Sequence, residues 1–564
     1  MAASHYSTLQ TTPASAPSSR PTSHSSQSRK QQQRPAHPKQ AGTPGTASWL
    51  SSVINLLNTI VGAGVLAMPH ALSNMGITLG TLVILWAGLT SGFGLYLQTR
   101  CARYLDRGGA SFFALSQITY PNAAVIFDAA IAVKCFGVGV SYLIIIGDLM
   151  PGVVRGFGEP GEAVFLVERR FWVTAFMLIV IPLSFLRRLD SLKYTSVIAL
   201  VSIAYLVVLV VYHYAAGDTL ADRGEVNIIK WQGAISTLAS FPVIVFAYTC
   251  HQNMFSILNE LSTPTPTRTT AVVGASIGSA ASIYILVAIT GYLSFGSNIL
   301  GNIVAQYTPS VASTIGRAAI VVLVMFSYPL QVHPCRASLD AVSKWRPQRS
   351  SGSSSKRRHS NDEFTPAASG SPSRTSSLLG GGGASPHHTN TPAKPNPEKE
   401  MSELRFAILT TAIIILSYIV AMTVSSLDKV LAYVGSTGST AISFILPGLF
   451  YYKISAPGSA QQQRLMKDGD GDDEEEEGYE GYEGSRRSGS DEDDEGEGEG
   501  GSPTVGGAAS WREAWLGGEG RGAKARGRRW RRGLLRKMSL ALAVYGGVVM
   551  VVCLVVNTFF VVAH

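Results

Sequence analysis

Charged residues are confined to a few parts of this chain, and the long apolar segments between them carry almost none. Only 15% of its 564 residues are charged, whereas 46% are hydrophobic. The charges concentrate in the first 48 residues, near 346–400 and across 464–537. Because about 20 apolar residues suffice to cross a bilayer as a helix, this distribution predicts a polytopic membrane protein rather than a large soluble one.

Eleven transmembrane helices are predicted in an all-α membrane protein, from a window of about 19 residues. They are expected at 50–69, 77–99, 124–150, 171–187, 194–214, 233–257, 270–294, 313–334, 403–424, 430–452 and 539–562. Lys and Arg are denser in alternate connections, on the same face as the polar N-terminal tail, which places that tail in the cytosol. An odd number of spans then places His564 on the opposite face.

The predicted domain organisation alternates membrane and polar segments. It consists of a disordered cytosolic tail at 1–48, helices 1–8 at 49–345, a disordered cytosolic loop at 346–401, helices 9–10 at 402–455, a disordered acidic then basic cytosolic loop at 456–537, and helix 11 at 538–564. The polar segments are too rich in Ser, Gly, Pro or charge to bury a core. They are candidates for binding cytosolic regulators.

The basic residues and the cysteines argue against two other classes of protein. The formal charge of +9 comes mainly from residues beside the spans, where membrane topology explains it without a nucleic-acid partner. The run RGAKARGRRWRRGLLRK precedes the last span, either as a positive-inside anchor or as a site for anionic lipid headgroups with Trp530 in the interface. Five cysteines without paired spacing indicate neither a disulfide framework nor a metal site.

The first predicted span is interrupted at its centre by small residues. It reads NLLNTIVGAGVLAMP over 55–69, with Gly62, Ala63 and Gly64 in the middle. A helix broken there exposes N–H and C=O groups, which inside a bilayer must line a cavity or meet a ligand. An amino acid suits both ends, its carboxylate at the start of a half-helix and its ammonium at the freed carbonyls. On the glycines alone, a small-residue packing face is an equal alternative.

The sixth predicted span carries a second candidate interruption. It reads FPVIVFAYTCHQNMFSILNEL, with Pro242 near its start and a polar run at 248–253. If ten spans form two five-span repeats, the second repeat enters the membrane from the opposite side and the sixth span mirrors the first. Two interruptions at corresponding positions predict a central substrate site.

Ionisable residues inside spans are costly unless they are paired or face water. Asp128 and Lys134 in the third span are six residues apart, so each is expected to find a partner elsewhere. His251 and His333 are candidate proton carriers, or histidines satisfied at a helix end. Ser327 precedes a proline and is a candidate cation or substrate ligand, or a packing hydroxyl.

Four of these segments carry a family resemblance. SVINLLNTIVGAGVLAMPHAL, KCFGVGVSYLIIIGDLMP, FAYTCHQNMFSILNEL and SYPLQVHPCR resemble the amino acid/auxin permease family, which includes the solute carrier 38 neutral amino acid transporters. Within it the chain is most similar to fungal vacuolar amino acid transporters of the Avt group. The resemblance covers the spans but not the tails. It implies a LeuT/APC-like five-plus-five inverted repeat with an extra C-terminal helix, and a substrate held between spans 1 and 6.

The resemblance also implies roles for individual residues. The implied substrate-binding residues are Asn58, Thr59, Gly62, Ala63, Gly64, Phe246, Ala247, Tyr248 and Thr249, with Gly62–Gly64 at the carboxylate. The ion-coupling candidates are Asn58, Ser327, His251 and His333. Sodium-coupled relatives carry threonine where this chain has Ser327, so proton coupling is the preferred expectation and sodium the alternative.

These observations predict a secondary active transporter that moves neutral amino acids across the vacuolar membrane by alternating access. The sequence contains no nucleotide-binding loop, hydrolytic constellation or cofactor motif, so no enzyme activity and no cofactor beyond the coupling ion are expected. The expected partners are an amino acid and membrane lipids. A sodium-coupled plasma-membrane importer, an amino acid sensor of the same fold and a passive channel are the alternatives.

Overall fold

The computed structural model describes most of the predicted membrane part of the chain. The described residues are 45–105, 107–158, 161–186, 195–344, 401–459 and 509–560, with the backbone alone described at 195–196 and 509–529. Most of the N-terminal tail and of the two polar loops therefore lies outside the described residues. The predictions made for those segments stay predictions.

The described chain is almost entirely helical. Its α-helices are α1 (Trp49–Ile60), α2 (Ala63–Ser73), α3 (Ile77–Ala102), α4 (Phe112–Thr119), α5 (Ala124–Phe157), α6 (Arg169–Ser184), α7 (Thr195–Ala216), α8 (Ala234–Ala247), α9 (His251–Glu260), α10 (Pro266–Phe295), α11 (Ile303–Gln306), α12 (Val311–Lys344), α13 (Glu403–Thr423), α14 (Leu427–Val434), α15 (Leu446–Ile454) and α16 (Ala509–Val555). Wider π-helical turns join α14 to α15 at Gly435–Ser439 and Ala441–Ile445.

Nine helical segments in the described ranges are long and apolar enough to cross a membrane, and the bent pair α1–α2 makes ten. The predicted all-helical, multi-span class is confirmed at this level. Helix α6, which corresponds to the predicted fourth span, has only 16 residues. The count of eleven therefore stays a prediction.

Three spans form the buried centre of the bundle. Their most apolar windows are 72% buried for α5, 67% for α8–α9 and 78% for α14–α15, whereas α3 and α13 reach 33%. Glycines allow this close packing, since a Cβ added at Gly137 would lie 2.0 Å from Val434. The sixth predicted span, α8–α9, is therefore itself part of this buried centre.

The structure differs from expectation at the last helix and at the prolines. Helix α16 begins at Ala509, so residues 509–537, which were predicted to be disordered, are helical; their Ala, Arg, Lys and Leu content favours that form. Helix α12 continues through Pro329 and Pro334, and Pro242 lies inside α8. Neighbouring helices can satisfy the backbone groups that a membrane proline leaves free.

Candidate functional site

The first predicted interruption is present. Helix α1 ends at Ile60, α2 begins at Ala63, and the two axes differ by 56°. Gly62 precedes α2 and supplies no side-chain hydrogen bond to it. The first amides of α2 therefore have no capping side chain, and the N-terminal end of a helix carries partial positive charge.

The second predicted interruption is also present, at the polar run rather than at the proline. Helix α8 ends at Ala247 and α9 begins at His251, which leaves the segment 248–250 outside both helices. The amide of Thr249 turns back to donate to the carbonyl of Phe246 at 3.0 Å. Both halves of the predicted pair are therefore broken near the middle of their spans.

The two breaks lie against each other. A Cβ added at Gly64 would lie 2.5 Å from the Cβ of Ala247 and 2.8 Å from its Cα. Gly64 is thus the small-residue contact that the sequence left open as an alternative. Gly62 differs, because a Cβ added there would meet nothing within 4 Å.

One tyrosine joins the two breaks. The hydroxyl oxygen of Tyr284 on α10 lies 2.8 Å from the carbonyl oxygens of both Ile60 and Ala247, so its single proton is shared between these two acceptors. These carbonyls end α1 and α8, so two of the groups freed by the breaks already have a protein partner. Each carbonyl keeps a second lone pair, so an ammonium group would share these acceptors with Tyr284.

A cavity of about 400 Å³ surrounds the breaks. Most of the predicted site residues line it: Asn58, Thr59, Gly62, Ala63, Gly64, Phe246, Ala247, Thr249, Ser327 and His333. Further lining residues come from α5, α7, α9 and α12, among them Lys134, Tyr142, Gln252, Asn253, Ser256 and Gln331. The structure thus brings together residues that are more than 270 positions apart in the chain, from Asn58 to His333.

Two predicted site residues, Tyr248 and His251, do not line this cavity. The Tyr248 ring packs edge-on against Tyr284, with centroids 5.1 Å apart. The His251 ring is fully buried, with Nε2 3.2 Å from the Ser91 carbonyl and Nδ1 3.2 Å from Ser443 Oγ. Because a carbonyl only accepts, Nε2 carries a proton, and this arrangement matches the alternative of a hydrogen-bonded histidine at a helix end.

The cavity wall contains amide oxygens without a partner. Asn58 Oδ1, Gln252 Oε1 and Gln331 Oε1 are buried and accept no hydrogen bond from any described residue. They belong to α1, α9 and α12, and all three side chains line the cavity. Buried acceptors left unsatisfied are costly, so this set suits an ammonium group or a cation. Gln331 was missed from sequence, although it follows Ser327 by one helical turn and shares its face.

Hydroxyl groups in the wall are already partly engaged. Ser327 Oγ donates to the Leu323 carbonyl at 2.8 Å. Thr59 Oγ1 donates to Asn55 and accepts from Asn253 Nδ2 at 3.3 Å. The Thr59–Asn253 contact joins α1 to α9, so it links the two half-helices on one side of the breaks.

Lys134 is a cavity residue that sequence reasoning did not assign to the site. Its side chain is 4% exposed and lines the cavity. The predicted partner elsewhere is absent from the part of the chain that the structure describes. The signal was present, because a lysine inside a membrane span is a functional candidate by default.

The cavity extends from the breaks toward the face where α1 starts. There Ala47 pairs with the end of α9, its amide donating to the Glu260 carbonyl at 2.9 Å and its carbonyl accepting from the Ser262 amide at 3.1 Å. The cavity-lining residues of α9 lie in the half of the bundle that contains the start of α1. His333 and Pro334, toward the end of α12, lie in that half as well.

A family model described as transmembrane amino acid transporter protein matches residues 45–468. Vacuolar amino acid transporter 5 of Schizosaccharomyces pombe is 41% identical over 426 residues, which cover 75% of this chain and 89% of that relative. Vacuolar amino acid transporter 6 of Saccharomyces cerevisiae is 42% identical over 417 residues, with 72% and 90% covered. The match begins just before α1 and includes every residue named at the breaks.

Solved structures give weaker likenesses. MhsT in complex with L-phenylalanine aligns with a TM-score of 0.44 at 12% identity, covering 73% of this chain and 90% of that one. Mhp1 in its inward-facing conformation aligns with a TM-score of 0.46 at 10% identity, covering 74% and 79%. Likenesses this weak give no information about the site in this chain.

Proposed function

Because this chain belongs to the transmembrane amino acid transporter family, we propose that it is a secondary active transporter that moves neutral amino acids by alternating access. The family consists of transporters and not enzymes. The observation that supports the mechanism best is the pair of broken helices whose breaks border one cavity. Two broken helices at matched positions favour occlusion of a substrate over an open channel.

The membrane of residence is the vacuolar one. The relatives that share 41–42% identity with this chain are named as vacuolar transporters, and the chain has multiple apolar helices that fit a multi-pass membrane protein. With the N-terminus in the cytosol, as the distribution of Lys and Arg favours, the cavity faces the cytosol.

The proposed core is a five-plus-five inverted repeat followed by an eleventh span. Two features support it: the breaks fall in the first and sixth predicted spans, and the start of α1 lies beside the end of α9. That neighbourhood is what opposite entry into the membrane requires. In this proposal α6 is the fourth span despite its 16 residues.

The two ends of the substrate have different candidate partners. The start of α2 at Gly62–Gly64 would hold the carboxylate through backbone amides. The unpartnered amide oxygens of Asn58, Gln252 and Gln331 would accept from the ammonium. A basic side chain would lack a counter-charge, because no Asp or Glu is among the described residues that line the cavity. A neutral side chain needs no counter-charge.

The proposed transport is driven by a proton gradient, and no cofactor beyond the coupling proton is proposed. Asn58 and Ser327 both line the cavity, so the sodium alternative keeps its two candidate ligands. Ser327 Oγ donates its proton to the Leu323 carbonyl, which leaves its lone pairs available to a cation. His251 is buried away from the cavity and His333 is exposed on its wall, and both remain candidate proton carriers.

A counterflow experiment tests the proposal. Purified protein in liposomes is expected to exchange labelled neutral amino acids for internal unlabelled ones, and to accumulate them when a proton gradient is imposed. Replacing sodium with choline is expected to leave the rate unchanged. Binding without counterflow would instead support the sensor, and sodium-dependent accumulation would support the sodium-coupled importer.

The side of the membrane on which the cavity is proposed to open gives a separate prediction. Ser256 is exposed on the cavity wall, and the five native cysteines are buried. In Ser256→Cys, a membrane-impermeant thiol reagent is expected to react from the cytosolic side of intact vacuoles and to be slowed by substrate. The unsubstituted protein is the control, and equal labelling with and without substrate would contradict this placement.

A further inference from the structure

Lys134 places an amine in the wall of the substrate cavity, well inside α5. It lies ten residues after the start of that helix at Ala124, and its side chain is 4% exposed. A charge at this depth is unfavourable unless it is paired or faces water. The position is fixed by packing, because Gly438 in the π-helical turn contacts the backbone of Lys134 so closely that an added Cβ would lie 2.8 Å from its nitrogen.

No counter-charge reaches this amine within the described residues. No hydrogen bond or ion pair joins it to another described side chain, and the lining of the cavity contains no Asp, Glu or Arg. Asp128 lies six residues earlier on the same helix, off its face. The empty cavity therefore offers the ammonium form of Lys134 no compensating charge.

The titratable groups around Lys134 come from its own helix, from the segment 248–250, from α9 and from α12. Cys135 and Cys250 are its electrostatic neighbours, His251 interacts with it from the start of α9, and α12 contributes His333 and Cys335. None of these groups is a carboxylate, so none of them places a fixed negative charge beside Lys134.

We propose that Lys134 is the proton-binding group that couples proton and amino acid movement. This inference rests on the proposed transport function. An amino acid brings a carboxylate into a cavity that otherwise lacks one, so its binding favours the ammonium form of Lys134. By linkage, protonation of Lys134 strengthens substrate binding to the same degree. The amine takes up one proton with each substrate and releases it when the substrate leaves.

Two opposite substitutions test this coupling. The probe is labelled L-glutamine, or the neutral amino acid that exchanges fastest in the counterflow panel, and its affinity is measured from pH 5 to pH 8. In the unsubstituted protein the affinity is expected to rise by up to about tenfold for each unit of falling pH, the limit for one proton bound with each substrate. Lys134→Met removes the proton site, and Lys134→Arg keeps a fixed charge.

In both variants the affinity is expected to be independent of pH, but it is expected to be low in one variant and high in the other. Lys134→Met should bind as weakly at every pH as the unsubstituted protein does in alkali, and Lys134→Arg as tightly as it does in acid. Counterflow without a gradient should persist in Lys134→Met, whereas accumulation driven by a proton gradient should vanish. If methionine fails to give monodisperse protein, Lys134→Gln is equally neutral.

His333→Gln tests the rival ion-coupling candidate, since His333 carries the other ionisable nitrogen among the described residues of the cavity wall. It is expected to keep the pH dependence. Any of three results would overturn the assignment of Lys134. These are an affinity that still depends on pH in Lys134→Met, loss of the pH dependence in His333→Gln, and absence of pH dependence in the unsubstituted protein. Absence of counterflow in the unsubstituted protein would instead overturn the proposed transport function, so the two failures are distinct.

Discussion

Gly62→Leu is expected to abolish substrate exchange while the protein stays folded. A Cβ at this position meets nothing within 4 Å, so the side chain extends into the open space of the cavity at the start of α2. There it covers the amides proposed to hold the carboxylate. Losing one hydrogen bond to a charged group costs about 1.5–3 kcal/mol, which corresponds to at least a tenfold loss of affinity. Counterflow in liposomes measures it.

Two other glycines provide the comparison for Gly62→Leu. Gly274→Leu adds the same bulk to an exposed site on α10 that is also free of neighbours, and it should transport normally. Gly64→Leu is less informative, because its Cβ meets Ala247 at 2.5 Å and must push α2 away from α8, which should lower the thermal stability. Exchange at the unsubstituted rate in Gly62→Leu would remove the start of α2 from the site.

The positions of the breaks were predictable from local sequence. The small residues at Gly62–Gly64 and the polar run 248–253 are unusual inside apolar spans, and each marks the place where the helix ends. A backbone that cannot stay helical inside a bilayer has few alternatives to lining a cavity. For this reason most of the predicted substrate residues fall on one cavity wall.

The direction of individual side chains was not predictable in the same way. Tyr248 lies at the second break as expected, yet its ring turns toward Tyr284 and away from the cavity. Whether the Tyr248 ring faces the cavity depends on the rotation of the chain at the break. That rotation is set by the packing of Tyr248 against Gly88 and α10. Local sequence carries no signal for that rotation.

Contacts from other spans were missed for the same reason. Gln331 and Lys134 join the site only because α12 and α5 cross beside the breaks. Tyr284 is an ordinary buried aromatic by sequence, and its hydrogen bonds to Ile60 and Ala247 exist only in the assembled bundle. Local sequence therefore predicted which backbone segments form the site. Tertiary packing determines which side chains from other spans complete it.

Tyr284→Phe is the second large effect, and it tests whether the tie between the breaks matters for transport. It removes one hydroxyl but leaves two buried carbonyls, those of Ile60 and Ala247, without their donor. A buried group left unpaired costs about 1–3 kcal/mol, so the melting temperature is expected to fall. The counterflow rate is expected to fall as well, by about tenfold for each 1.4 kcal/mol lost from the arrangement in which the two half-helices are tied together.

Tyr292→Phe separates a transport effect from simple destabilisation. Tyr292 is on the same helix and equally buried, and its hydroxyl accepts from the Asn227 amide at 2.8 Å, away from the breaks. Its loss should lower the melting temperature by a similar amount while counterflow persists. If both variants lose transport in proportion to stability, the hydroxyl of Tyr284 acts only in folding. If Tyr284→Phe alone stops counterflow, the two half-helices must be held together at Ile60 and Ala247 for the substrate to cross.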